Sequence, residues 1–367
     1  MAEWARTPSN SHDLFTCSRP RVLSSAVSHK LFIPTTFVPT QSVAILSLSG
    51  RDFVSLRDFT PKELMMILSK SAELKEKLKR GEPHEELRGK SLAMIFEFPS
   101  TRTRTSFEVG MQQLGGHALF FSPEHYWTKE REAVSDLGRV MSRYVHGVMI
   151  RALNQKDVVE LAEWASVPVI NACTNYEHPC QVMADFMTTW EKRGHLKGLK
   201  TVIAWTYSPY AIPLGIVNSA LFAGSKLGMD VTIACPEGYD PDPEVWETSL
   251  REAEATNAKI SVSRDLKEAV READVVHIKA WAPHASFTKG VATKPPHARN
   301  PKKYKRWKVT EEIVALAKGD VMVQHALPVL RGVQATDGVL DGPNSVIFDE
   351  AENRLHVQKG IMSLIMK

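Results

Sequence analysis

Short apolar segments alternate with amphipathic segments along almost the whole chain after residue 50. The apolar segments have the length of buried strands, and the amphipathic segments repeat apolar residues at helical spacing. Strands that alternate with helices predict an α/β fold with parallel sheets. Two runs of this alternation meet near residue 190, so we expect two doubly wound domains with a cleft between them. Ligands of such sheets bind beyond the carboxyl ends of the strands.

The predicted domains cover residues 51–190 and 191–350, and a closing helix at residues 351–367 is expected to pack back on the first domain. A length of 367 residues agrees with two cores. The last strand is predicted at residues 345–348. Residues 288–308 hold many Lys, Arg and Pro and are interpreted as a long solvated loop. Residues 1–50 are rich in Ser, Thr and Pro; we interpret them as a poorly ordered extension, with an organellar transit peptide as the alternative.

Composition excludes several classes of protein. The net charge of +4 is mild and makes no case for nucleic acid, while a basic cleft for an anionic metabolite remains open. No apolar run is long enough to cross a bilayer. The four cysteines are spread along the chain without metal-type pairing, so we expect a reduced, cytoplasmic enzyme without a metal site. They are Cys17, Cys173, Cys180 and Cys235.

The sequence Ser-Thr-Arg-Thr-Arg-Thr at residues 100–105 lies between a predicted strand at residues 91–98 and a predicted helix that ends at Gly115. Unpaired backbone N–H groups and the positive end of the helix dipole meet at such a turn. Hydroxyls that alternate with guanidinium groups suit a phosphate. The alternative is a capped helix with solvated arginines, which fits one Arg better than two.

Other polar residues directly follow predicted strands, and we expect them to share one site with Ser100 because carboxyl ends of parallel strands meet at one edge. Each has a structural alternative: a salt bridge for an Arg at a strand end, a helix cap for a His before a Pro. The sequence has many Arg and His residues and no cluster with metal-ligand spacing. This composition suits the stabilisation of an oxyanion. The set is Arg151, His178, Lys279 and His325, with Arg354 near the start of the closing helix.

These motifs occur in the order found in the aspartate/ornithine carbamoyltransferase family, which the chain resembles from about residue 52 to its C-terminus. The markers are Ser100 to Arg104, Arg151, His178-Pro-Cys-Gln181, His325-Ala-Leu-Pro328 and Arg354. The resemblance implies a carbamoyltransferase of the arginine pathway that uses carbamoyl phosphate and an amino acid. It also implies a homotrimer, no metal and no organic cofactor.

The resemblance assigns a role to each marker. Binding of carbamoyl phosphate is implied for Ser100, Thr101, Arg102, Thr103, Arg104, Arg151, His178, Gln181, Leu327 and Arg354. Of these, Arg151, His178 and Thr103 would point at the carbamoyl oxygen and act in catalysis, and Gln181 would face the carbamoyl nitrogen. Fixed donors aimed at that oxygen lower the barrier, because the attacking amine pushes negative charge onto it.

The acceptor region looks like that of the N-acetylornithine and N-succinylornithine carbamoyltransferases, a knotted subgroup. Lys279-Ala-Trp281 and the Pro-rich segment at residues 205–214 carry this likeness. By resemblance Lys279 would meet the acceptor's α-carboxylate, Ala326 and Leu327 would line its site, and Trp127 would reach a neighbouring subunit. We therefore expect transfer to the side-chain amine of ornithine or an N-acylornithine, with the N-acetyl form favoured.

Some residues depart from the subgroup. Ala326 replaces the usual Cys, and Gln334 stands where the acetylornithine enzymes have a modified Lys. Arg131 stands near the position at which those enzymes have a substrate-sensing acid. Two alternatives follow: a knotted carbamoyltransferase for another amine or ureido acceptor, and a relative that binds carbamoyl phosphate without turnover.

Overall fold

The computed structural model describes residues 47–122, 132–287 and 295–367. In these ranges the predicted alternation of helices and parallel strands is confirmed. One sheet has the strand order β2-β1-β3-β4 and the other β7-β6-β5-β8-β9, with parallel pairing throughout. The strands are β1 Ser91–Phe96, β2 His117–Phe121, β3 Gly147–Arg151, β4 Val169–Cys173, β5 Lys200–Trp205, β6 Asp230–Ala234, β7 Ile260–Ser263, β8 Val275–Lys279 and β9 Met322–Gln324.

Helices connect these strands, and two short 3-10 turns lie at Leu56–Asp58 and His284–Phe287. None of the helices in the described ranges combines the length and the apolar character needed to cross a membrane. The helices are α1 Pro61–Lys79, α2 Thr101–Gln113, α3 Val134–Tyr144, α4 Gln155–Trp164, α5 Pro179–Arg193, α6 Gly215–Lys226, α7 Pro243–Thr256, α8 Leu266–Ala269, α9 Pro296–Arg299, α10 Pro301–Tyr304, α11 Glu311–Val314, α12 Asp337–Leu340 and α13 Ile347–Ile365.

In the first sheet, β1, β3 and β4 are buried on both faces, as their continuous apolar sequences require, whereas the edge strand β2 is partly exposed. Successive side chains of a strand point to opposite faces. On β1, Leu92 and Met94 belong to the larger apolar core, whereas Ala93 and Ile95 pack in a second core. The second core includes Val134 and other residues of α3 and α4. Helices on both faces leave the strand ends as the open edge of the sheet.

The closing helix α13 packs against α1, α2 and α5, three helices that belong to the first half of the chain. Close approach to α1 depends on Gly360, because a Cβ at this position would lie 2.2 Å from Ser71 Oγ and 3.0 Å from the Ser71 backbone nitrogen. The chain therefore returns at its end to the first sheet. The exact residues at which the two domains begin and end, and the knotted topology, stay predictions.

Two predictions about local structure are wrong. The predicted last strand at residues 345–348 contributes only an isolated bridge between Ser345 and Val323, and α13 already begins at Ile347. Of the predicted solvated loop, residues 295–308 hold α9 and α10, and the side chains of His297, Tyr304 and Trp307 are buried. Those rings pack around Trp205, so apolar burial outweighs the local excess of Lys, Arg and Pro.

Candidate active site

A cavity of about 230 Å³ lies beyond the carboxyl ends of strands from both sheets. Residues just after β1, β4 and β9, and the last residues of β3 and β8, contribute to its wall. The polar lining consists of Ser100, Arg102, Thr103, Arg151, Cys173, Thr174, His178, Lys279, His325, Gln334 and Arg354. The apolar lining consists of Phe98, Ile212, Pro213, Gly215, Ile216, Ala280, Ala326, Leu327 and Pro328. Side chains separated by up to 256 positions along the chain thus share one concave wall.

The N-terminus of α2 opens at this cavity. Ser100 caps the helix: its hydroxyl accepts a hydrogen bond from the Thr103 backbone N–H at 3.3 Å and donates to Thr103 Oγ1 at 3.0 Å. Thr103 is buried, and its Oγ1 also accepts from Arg354 Nη2 at 3.3 Å. The hydroxyls of the turn are therefore held in place, and the positive end of the helix dipole faces the cavity.

Four cationic side chains line the cavity: Arg102, Arg151, Lys279 and Arg354. No carboxylate joins them among the lining residues that the structure describes. Burial, together with repulsion from Arg151, lowers the pKa of Arg102, and burial also lowers the pKa of Arg354. The Arg151 guanidinium stacks over the Phe98 ring at 4.2 Å, which orients it. A cluster of desolvated cations without counter-charge favours an anionic ligand.

His178 lies at the start of α5 with Pro179 at the first helical position. Its backbone N–H donates to Gly215 O at 3.2 Å and to Ser219 Oγ at 3.0 Å, so the turn is anchored to α6. Burial, and then repulsion from Arg354 and other cations, lowers the pKa of His178 well below its usual value. The imidazole is neutral at pH 7 and offers one N–H donor.

The second sheet contributes Lys279 and His325. Burial lowers the pKa of Lys279 to about 8, and its Nζ donates to Ala280 O at 2.7 Å. Burial lowers the pKa of His325 to about 3. His325 Nδ1 accepts from the Leu327 backbone N–H at 2.8 Å, so Nε2 carries the proton. Nε2 is buried without a partner among the described residues, which leaves a donor for a ligand.

Of the sequence-predicted residues, the cavity wall as described does not include Thr101, Arg104 or Gln181. Arg104 lies over the Phe120 ring at 3.8 Å and pairs with Glu108 at 3.0 Å, one helical turn further on. Gln181 is buried behind Arg354, whose Nη1 donates to its Oε1. Trp127, like Arg131, falls outside the described residues.

Of the apolar wall, sequence reasoning predicted Ala326 and Leu327 and missed the other residues. It also missed a buried acidic cluster behind Gln181. Asp185, His277 and Glu350 bring one donor atom each to within 4.8 Å of one another. Gln181 Nε2 donates to Asp185 Oδ1 at 2.7 Å and to Glu350 Oε1 at 3.0 Å, so these oxygens serve as acceptors for an amide. The spacing of Gln181 and Asp185 by four residues on one helix was the available signal.

Comparisons with known proteins agree with this geometry. The family model described as the carbamoyl-P binding domain of aspartate/ornithine carbamoyltransferase matches residues 51–191, and the Asp/Orn binding domain of the same family matches residues 214–365. An ornithine carbamoyltransferase from Pyrococcus abyssi (strain GE5 / Orsay) is 43% identical over 322 residues, which is 88% of this chain and 98% of the relative.

Solved structures give the same result. The ornithine carbamoyltransferase of Pyrococcus furiosus superposes with a TM-score of 0.80 at 42% identity, covering 88% of this chain and 99% of that chain. A mutant N-acetyl-L-ornithine transcarbamylase in complex with carbamyl phosphate and N-succinyl-L-norvaline has a TM-score of 0.78 at 34% identity, covering 86% and 100%. The chain therefore belongs to the aspartate/ornithine carbamoyltransferase family. Its activity is that of a carbamoyltransferase of the ornithine carbamoyltransferase type.

Proposed function

We propose that the cavity binds carbamoyl phosphate and transfers its carbamoyl group to the side-chain amine of ornithine or an N-acylornithine, with the N-acetyl form favoured. The products are the corresponding citrulline and phosphate, a step of arginine biosynthesis. One observation carries the proposal: Arg102, Arg151, Lys279 and Arg354 line one cavity with no carboxylate among its described lining residues. Such a cavity suits two anionic groups side by side, the phosphate of carbamoyl phosphate and the carboxylate of the acceptor.

The phosphate is assigned to the N-terminus of α2. Ser100, Arg102 and Thr103 line the cavity there, and Arg354 is hydrogen-bonded to Thr103. Backbone N–H groups, hydroxyls and guanidinium groups together bind a phosphate dianion and stabilise it as it leaves. The roles of Thr101 and Arg104 stay predictions, since both lie outside the cavity wall in this structure.

The carbonyl group of the substrate is assigned to Arg151, His178 and the Thr103 hydroxyl. A neutral amine attacks the carbonyl carbon, a C–N bond forms, and the bond from that carbon to the phosphate oxygen breaks. The proton lost by the attacking nitrogen leaves with the departing phosphate. Negative charge develops on the carbonyl oxygen, where preorganised donors lower the barrier. The lowered pKa of His178 is compatible with this role, because a neutral imidazole keeps one N–H that it can donate to the carbonyl oxygen.

The acceptor is assigned to Lys279 and the apolar wall formed by Ile212, Pro213 and Ile216. A free α-ammonium group would enter a cluster of cations with no carboxylate among the described lining residues, which is unfavourable. An acylated amine carries no such charge, and Lys279 can pair with the α-carboxylate. This charge balance supports N-acylornithine over ornithine.

A product assay tests the acceptor. Carbamoyl phosphate is supplied with ornithine, N-acetylornithine or N-succinylornithine, and each citrulline is measured by mass spectrometry. We expect N-acetylcitrulline to form with the highest kcat/KM. Citrulline formed from ornithine, with none from either acylated form, would contradict the acyl preference and leave the carbamoyltransferase assignment intact.

The same charge balance also fits a second candidate function, the transfer of the carbamoyl group to a different amine or ureido acceptor. Such an acceptor would carry a carboxylate and no ammonium group. A panel of such acceptors in the same assay distinguishes it.

We also propose a homotrimer, in which Trp127 would serve a neighbouring subunit. Sedimentation of the full chain measures the oligomeric state. A cytoplasmic location stays a prediction.

A further inference from the structure

A thiol group opens into the anion-binding cavity. Cys173 is the last residue of β4, and it is partly exposed while the other residues of that strand are buried. It lines the cavity, and its Sγ makes one long contact with Thr174 O at 3.6 Å. In the parallel pairing of β3 with β4, Cys173 stands opposite Arg151, which also lines the cavity. A group attached to the Cys173 sulfur would therefore lie beside the Arg151 side chain.

The two other cysteines among the described residues are inaccessible. Cys180 and Cys235 each have an exposed fraction of 0%. Burial raises the pKa of each of these thiols to about 12, so the reactive thiolate form is scarce. Cys180 Sγ also donates to Asn171 O at 3.4 Å. In the described part of the chain, Cys173 is therefore the thiol that a dissolved reagent can reach.

Positive charge surrounds this thiol. The four cationic side chains of the cavity share its wall, and no carboxylate does so among the described lining residues. Burial lowers the pKa of Lys279, and a negative charge on Cys173 acts in the opposite direction, so the sulfur interacts with this ammonium group. Cations in a cleft attract an anionic reagent and oppose the approach of a cationic one.

Two buried donors in the cavity wall have no partner among the described residues. They are Nε2 of His325 and Nε of Arg354, and the exposed fractions of these residues are 5% and 4%. Buried donors of this kind are costly unless an acceptor meets them. The wall around Cys173 therefore suits an anion that comes from outside the protein.

We propose that Cys173 is a modification site at which a small anionic disulfide forms a mixed disulfide, and that the attached anion then excludes carbamoyl phosphate from the cavity. The Cys173 thiol loses its proton to the solvent, and its thiolate attacks one sulfur of the disulfide. A new S–S bond forms, and the S–S bond of the reagent breaks. The departing thiolate takes the electron pair of that bond and a proton from the solvent. The exclusion of carbamoyl phosphate rests on the proposed function, whereas the site of modification does not.

Three symmetric disulfides of equal length test the site on the full chain. Bis(2-sulfonatoethyl) disulfide is anionic, bis(2-hydroxyethyl) disulfide is neutral and cystamine is cationic. Mass spectrometry of proteolytic peptides measures the rate at Cys173. Each rate is divided by that of the same reagent with the free thiol N-acetylcysteinamide, which corrects for intrinsic reactivity. We expect Cys173 to prefer the anionic reagent over the cationic one by about tenfold or more.

Matched variants test the electrostatic reason. Lys279→Met removes one cation of the wall and should lower the preference for the anionic reagent. Lys318→Met removes a lysine that is paired with Asp274 outside the cavity, and it should keep the preference. Saturating inorganic phosphate should protect Cys173 more than chloride at the same ionic strength, because phosphate occupies the cavity and chloride mainly screens charge.

Calorimetry measures the effect of the modification on binding. The ligands are inorganic phosphate and phosphonoacetamide, a stable analogue of carbamoyl phosphate with CH2 in place of the bridging oxygen. We expect the modified protein to bind both at least about tenfold more weakly, because two anions would share one cavity. Reduction with dithiothreitol should restore binding. Cys173→Ser should keep its affinities through the same treatment, which identifies the modified residue.

Equal corrected rates at Cys173 for the anionic and cationic reagents, or no reaction at Cys173 with any of the three, would overturn the inference. Unchanged phosphate binding after complete modification of Cys173 would overturn it as well. A different result concerns the proposed function alone: the unmodified protein binds neither phosphate nor phosphonoacetamide, while Cys173 still prefers the anionic reagent. That result would overturn the proposed function and support the modification site.

Discussion

Arg354 Nη2 donates to the Thr103 hydroxyl at 3.3 Å although 251 residues separate the two positions in the chain. Thr103 belongs to the first turn of α2, and Arg354 lies on the closing helix α13. The last helix of the chain therefore completes a wall that the first strand-helix unit, β1 and α2, begins. A guanidinium near a helix N-terminus is unfavourable on its own. Its place in the wall of the proposed carbamoyl phosphate site accounts for its position.

Arg354→Met should weaken the binding of inorganic phosphate and of phosphonoacetamide by about ten- to a hundredfold, because hydrogen bonds to charged groups contribute about 1.5–3 kcal/mol. Calorimetry measures both affinities. Arg331→Met is the matched control, since Arg331 pairs with Asp337 and Asp341 and does not line the cavity. Equal loss in both variants would mean that general positive charge, rather than the Arg354 contact, holds the anion.

His178→Ala should lower kcat by about 10²–10³, the effect of removing one donor from a developing oxyanion. Phosphate affinity should change little, since His178 is assigned to the carbonyl group. Steady-state assays with the best acceptor measure kcat, and calorimetry measures the affinity. His195→Ala provides the control, because His195 is exposed, its ring forms a hydrogen bond with Lys197 O at 3.2 Å, and it does not line the cavity. A kcat within threefold of the unmodified protein would rule out the assigned role.

The pH dependence of kcat/KM for the acceptor should show a break near pH 8. Below this pH the Lys279 ammonium is charged and binds the acceptor's carboxylate; above it the charge is lost, because burial lowers its pKa to about 8. The acceptor amine, with a pKa near 10.4, must be neutral to attack, so the rate rises about tenfold per pH unit up to the break. Beyond the break the two effects cancel and the profile levels off.

The kcat/KM of Lys279→Met should be lower than that of the unmodified protein below pH 8, and it should rise without a break toward pH 10. Lys318→Met, which removes a lysine paired with Asp274 outside the cavity, should keep the break. If the break in the pH profile is still present in Lys279→Met, the titrating group is not Lys279. His178 and His325 should add no break between pH 7 and 8, since both have lowered pKa values.

Gly360→Ala should lower the free energy of unfolding by about 1–3 kcal/mol, because the added methyl group would overlap Ser71 and push α13 away from α1. Urea unfolding measures the change. Gly319→Ala is the control: its Cβ would meet no atom within 4 Å. If the two variants are equally stable, the close contact between α13 and α1 does not contribute to stability.

Much of the fold could be predicted because its signals are local. The capping box at the start of α1 is one case: Thr60 Oγ1 accepts from the Glu63 backbone N–H, and the Glu63 carboxylate accepts in return from the Thr60 backbone N–H at 2.8 Å. The prediction of a strand at residues 345–348 was wrong because a four-residue apolar run fits a strand and the start of a helix equally well. Tertiary packing of α13 decided between them.

For the site, the sequence by itself determined which polar side chains the chain contains and that many of them lie at the carboxyl ends of strands. Arg151 and Lys279 are examples. Only the tertiary structure decided which of them share the cavity. It turned Arg104 toward Glu108 and Phe120. It also placed Gln181 between Arg354 and the carboxyl groups of Asp185 and Glu350. The physical reason is that strand and helix formation and helix caps depend on residues a few positions apart, whereas the orientation of the buried Gln181 side chain also depends on Glu350 and Arg354, which lie 169 and 173 positions away.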